Sequence, residues 1–117
     1  MSIVDKTDSE IFEIALPMIN DVIQGSNEKN WALFSKYQTA EELNDPDNRK
    51  NVEKLWNEHE FFTSLSAERE FLAVIRRDDI AQVIWKQVST KVVGEYLACY
   101  FLKEVDNEVK EVGFRVL

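Results

Sequence analysis

Apolar residues change their period once along this chain. From Ile11 to Ile23 they recur at helical spacing. Ile11, Ile14, Ala15, Met18 and Val22 form one stripe, with Phe12, Leu16, Ile19 and Ile23 beside it. From Arg69 to Leu117 they fall instead into runs dense in Val, Ile, Tyr, Phe and Trp, each bounded by Asp, Asn or Gly. That second pattern predicts four long antiparallel strands. Asp78-Asp79 and Asp106-Asn107 make the hairpin turns, and Lys91 to Gly94 make the break between the second and third strands.

The first half supplies helix signals in order. Thr7 with Glu10 three residues on is a capping box opening the first helix. Pro17 predicts a kink in it and Gly25 a stop. A short helix follows, carrying Trp31, Phe34, Ser35 and Tyr37, and residues 39–48 are polar. Asp45-Pro46 caps a third helix running to about Glu60, with Val52, Leu55, Trp56 and His59 on its apolar stripe. Three helices followed by a four-stranded antiparallel meander predict a single α+β domain over 1–117, the helices covering one face of a curved sheet.

The last hairpin predicts the faces. With Asp106-Asn107 as the turn, an unbroken ladder sets Phe101 opposite Val112, Cys99 opposite Phe114 and Leu97 opposite Val116, all pointing inward. Gly113 inside the strand marks a bend or a close approach. The outward face then carries Tyr96, Ala98, Tyr100 and Leu102. Such an apolar, tyrosine-bearing surface predicts a homodimer through the sheet.

Charge narrows the partners. The net charge is −8, and residues 1–65 hold 13 acids against 6 bases while residues 66–117 hold 9 against 8. An acidic helical half argues against phosphate contacts with nucleic acid and leaves a basic partner protein, as for an immunity-type protein, as one reading. No run reaches the length of a membrane span and the start lacks a signal-peptide core, so no membrane association is expected. One cysteine excludes an internal disulfide and suits a cytoplasmic protein.

The order of elements resembles the nuclear transport factor 2-like superfamily, the cone-shaped α+β roll that includes ketosteroid isomerase. The resemblance rests on the first helix ending at Gly25 and on Asn30-Trp31-Ala32-Leu33-Phe34-Ser35. It also rests on the strands Val83–Lys86, Tyr96–Leu102 and Val112–Phe114. It implies a conical pocket between helices and sheet and dimerisation through the sheet. A shared fold does not carry function with it.

Candidate chemistry is sparse. His59, the only histidine, is the candidate general base, with Tyr37 as a polar handle. The ladder places no Asp or Glu inward: Glu104 and Glu111 fall on the opposite face. Cys99 among apolar neighbours is an inert core thiol. One His and one Cys make no zinc site, and Asp45-Pro46-Asp47-Asn48 is a helix cap, not a calcium loop. Trp31, Phe34, Tyr37, Trp56, His59, Trp85, Cys99, Phe101 and Phe114 are the candidate pocket lining. These residues predict a non-enzymatic domain, without cofactor, that binds a small apolar ligand or a protein. The alternative is a ketosteroid isomerase-type isomerase or hydro-lyase using His59.

Overall fold

The computed structural model describes residues 2–117. Helix α1 spans Asp8–Glu28, α2 Trp31–Phe34, α3 Ala40–Asn44 and α4 Pro46–Glu58, with short 3-10 turns at Ile3–Asp5 and Glu60–Thr63. Strands β1 (Glu70–Arg77), β2 (Ile80–Val88), β3 (Glu95–Val105) and β4 (Glu108–Val116) form one antiparallel sheet in sequential order. This is the expected α+β layout with one more helix.

The local signals act as their chemistry dictates. The Thr7 hydroxyl accepts from the Glu10 amide at 3.2 Å, and the Glu10 carboxylate accepts from the Thr7 amide at 2.9 Å. These bonds hold the Glu10 pKa below its usual value. Asp45 caps α4 by accepting from the Asp47 amide at 2.9 Å, with Pro46 as its first residue. Asp106 and Asn107 both have positive φ, the signature of a type I′ turn. The extra helix, α3, has its own capping box, Thr39 with Glu42, inside the stretch expected to be loop.

Two helix expectations need correction. The expected stop is absent: helix α1 continues past Gly25, with Pro17 inside it. It ends at Lys29, whose φ of 54° makes the left-handed cap. Gly25 is required for another reason: a methyl group there would lie 2.5 Å from the Phe34 amide nitrogen. Helix α2 can cross α1 this closely only over a glycine. Helix α4 ends at Glu58, so His59 is its cap and is exposed, not a member of an apolar stripe.

The sheet faces are the reverse of those expected for β3. Near the turn the ladder runs as anticipated, with Val105 opposite Glu108 and Lys103 opposite Lys110. A bulge then intervenes: Leu102 pairs with Glu111 but Phe101 pairs with Gly113, leaving Val112 extra. One added residue flips every side chain beyond it. Phe114 and Val116 thus join Tyr100 and Ala98 on the helix-covered face, while Leu97, Cys99 and Phe101 turn outward. Ala98, Tyr100 and Leu102 are fully buried, so they offer no surface for dimerisation, and Tyr96 is covered by the Phe61 ring. Gly113 lies under the Phe101 ring, where a methyl group would meet Cδ2 at 3.0 Å.

The core lies between this face and the helices. It joins Ile11, Ile19 and Val22 of α1 to Val83, Trp85, Tyr100 and Leu102 of the sheet. Trp85 stacks on Phe114 at 5.9 Å and 10°. Its indole N–H donates to buried Gln87 at 2.8 Å, and Gln87 in turn donates to the Ser66 and Val88 carbonyls. A fully buried amide is thereby satisfied.

Candidate functional site

Helix α4, the Glu60–Thr63 turn and the end of β4 do not close on one another. Between them lies an apolar cleft of about 270 Å³, walled chiefly by Phe34, Val52, Leu55, Trp56, Phe62 and Phe114. Phe34 meets Trp56 edge to face at 5.4 Å, which fixes one wall. The polar atoms at its floor are already paired. The Ser26 hydroxyl accepts from the Trp56 indole N–H at 3.1 Å and donates to the Phe62 carbonyl. A groove of about 240 Å³ shares Leu55, Phe62, Val116 and Leu117 with the cleft and adds His59, Phe61 and Tyr96.

Of the candidate lining residues, Phe34, Trp56 and Phe114 meet at the cleft, and His59 sits at the rim of its extension. Trp31 lies behind Phe34, half-buried, with the Arg49 guanidinium 5.8 Å above its ring. Trp85 is core. Tyr37 is tied elsewhere: its hydroxyl donates to Asp21 at 2.5 Å. Burial, together with this bond, raises its pKa. Cys99 and Phe101 are on the far face of the sheet, a correction that follows from the bulge. The Cys99 thiol is pushed up by burial, and nearby Arg115 opposes the shift only in part.

The reversed face of β3 carries a correction of greater chemical weight, because Glu111 pairs with buried Leu102 on the turn side of the bulge. Glu111 does face the helices, and it is 3% exposed. No cation pairs with it among the described residues, and its Oε1 has no hydrogen-bond partner. Burial, and then the charge of Glu42 on α3, push its pKa up to about 8, against a smaller opposing effect of Tyr100. The Tyr100 hydroxyl is likewise buried without a partner in hydrogen-bond geometry, and burial and the Glu111 charge raise its pKa. The Glu111 amide donates to the Tyr37 carbonyl at 2.7 Å, which fastens the segment leading to α3 over this end of β4. Gly113 was the one trace in the sequence of the bulge next to Glu111.

Among the described residues no group of His, Cys, Asp and Glu is placed to hold a metal ion, and no helix is long and apolar enough to cross a membrane. No protein-family model matches the chain, and no curated protein matches it.

Proposed function

We propose that this domain works by binding a small, mainly apolar organic molecule in the cleft between α4 and β4. The observation that carries this is the cleft itself: a partly open hollow with aromatic and aliphatic walls and a floor whose polar atoms are paired. Such a site rewards hydrocarbon, and the one charged residue in its lining is Arg115. The resemblance to the nuclear transport factor 2-like superfamily supports the same reading, since a hollow between helices and sheet is what that layout implies. The test uses the neutral fluorophore N-phenyl-1-naphthylamine. It should bind with an emission increase that Val52→Trp abolishes while the far-UV spectrum is retained. Equal binding to the variant would overturn the reading.

One observation favours a second reading, an acid–base isomerase in which Glu111, not His59, is the proton carrier. A carboxyl with a pKa of about 8 beside a tyrosine is chemically suited to move a proton near neutral pH. The walls of the cleft include neither side chain, so binding is the better-supported function.

The partner in this proposal is a second copy docked on the outer face of the sheet. Ile75 and Leu97 there are 43% and 41% exposed, beside half-buried Ile84 and Phe101. Light scattering should give a dimer mass that falls to a monomer in Phe101→Glu.

A further inference from the structure

Strand β4 is an outer strand of the sheet, so one side of its backbone has no neighbouring strand. The hydrogen-bond pattern tells which residues point that way. Leu97 and Leu117 exchange both backbone bonds, at 3.1 and 2.8 Å. Rungs of an antiparallel ladder alternate between bonded and non-bonded pairs. Cys99 with Arg115 is therefore a bonded pair, whereas Ala98 with Val116 and Tyr100 with Phe114 are not. The N–H and C=O groups of Val116 and Phe114 thus point away from β3, to the free edge. Past the bulge the Glu111 amide points the same way, and there the chain supplies its own partner. The Tyr37 carbonyl accepts from that amide at 2.7 Å, and Gln38 bridges to Glu111 in parallel. Among the described residues no backbone partner reaches Phe114 or Val116 on this side. The chain covers one half of the edge and leaves the other half open.

The open half runs along the apolar cleft, whose lining includes Phe114 and Val116. Arg115 alternates with them, so its side chain leaves the strand on the outer face, the side of its rung partner Cys99. It is exposed, and among the described residues no carboxylate lies within ion-pair distance of it. We propose that this half of the β4 edge binds an extended peptide segment as an added strand, with an acidic residue opposite Arg115 and an apolar residue on each side of it. The proposal rests on the reading of the cleft as an apolar binding site and names a partner for it. Directly opposed residues of paired strands share a face. The residue opposite Arg115 therefore lies on the outer side, where its carboxylate meets the unpaired guanidinium. Its two neighbours point to the helix side, where the cleft receives hydrocarbon. Backbone bonds give such a complex its affinity, and the alternating side chains give it selectivity. A second copy is the poorer occupant. Joining two β4 edges through both Phe114 and Val116 would set Arg115 opposite its own counterpart, and like charges so opposed repel. Residues 66–117 hold 9 acids against 8 bases, so the sheet half scarcely repels an acidic segment.

The test is titration of the full chain with the end-blocked peptide Thr-Val-Glu-Leu-Thr, followed by amide chemical shifts. Saturable shifts should centre on Phe114, Val116 and Leu117, and the peptide should release N-phenyl-1-naphthylamine from the cleft. Replacing the peptide's Glu by Lys should weaken binding about tenfold. Arg115→Glu, a change at an exposed position, should reverse that preference in a chain that still folds. Methylating the peptide's central backbone nitrogens should abolish binding. Fluorophore binding without any peptide shifts would overturn this proposal and leave the small-molecule reading of the cleft standing, whereas failure of both ligands would remove the two together. Equal binding of the methylated peptide, or no response to the charge exchange, would also overturn it.

Discussion

The two ends of the helix-covered face of β4 treat polar groups in opposite ways. At the end holding Phe114 and Val116, the Ser26 hydroxyl and the Trp56 indole satisfy each other, and the hollow beside them is bounded mainly by hydrocarbon, with Arg115 in its lining. Three residues away, buried Glu111 leaves a carboxyl oxygen unpaired, and Tyr100, which pairs with Phe114 across the ladder, leaves its buried hydroxyl unpaired. Three residues of strand span only about 10 Å. The difference shows that space and polarity are separated here. The open end has room but no reactive group, and the closed end has a titratable acid but no lining contact with the cleft.

The largest effect should come from the acid. Folded Glu111 keeps its proton up to about pH 8, whereas an unperturbed carboxyl loses it near 4.5. Folding therefore takes up a proton between these values. The stability contributed is fully present below pH 4.5, falls as pH rises, and levels off above pH 8, by up to about 5 kcal/mol. Urea unfolding at several pH values should show this slope, and Glu111→Gln should flatten it. A variant with the same slope as the parent would separate Glu111 from the pH dependence and weaken the contrast.

Phe114→Ala removes the ring that stands between the two ends, stacked on Trp85 and near both Phe34 and Tyr100. It should cost about 3 kcal/mol in chemical denaturation. A loss below 1 kcal/mol would mean that the ends are not coupled through this ring. Ser26→Ala makes the open end resemble the closed one by stranding the Trp56 N–H. It should cost about 1–2 kcal/mol and shift tryptophan emission. Unchanged emission would show that water replaces the hydroxyl. His59→Gln, at the exposed rim, should change the melting free energy by no more than about 0.5 kcal/mol. Any activity lost in that variant alone would return the histidine to the list of functional groups.

Much of the architecture was legible in the chain. The shift from helical to strand spacing placed α1, α4 and all four strands, and the Asp-Asn turn set the first rungs of the last hairpin correctly. These features are written in local chemistry: capping side chains, turn residues that accept positive φ, and periodic burial. Helix α3 was also written there, in the Thr39–Glu42 capping box, but its five residues bury nothing and carry no periodicity.

Only the tertiary structure decided which face of the sheet met the helices beyond the turn. Both parities of β3 are apolar: Ala98, Tyr100 and Leu102 on one, Leu97, Cys99 and Phe101 on the other. Binary pattern cannot choose between two apolar faces. The choice came from the unpaired Val112, which turns Phe114 and Val116 toward the same side as Glu111. A bulge depends on how two strands meet across space; it brought Phe114 and Val116 to the side where Glu111 already stood opposite buried Leu102.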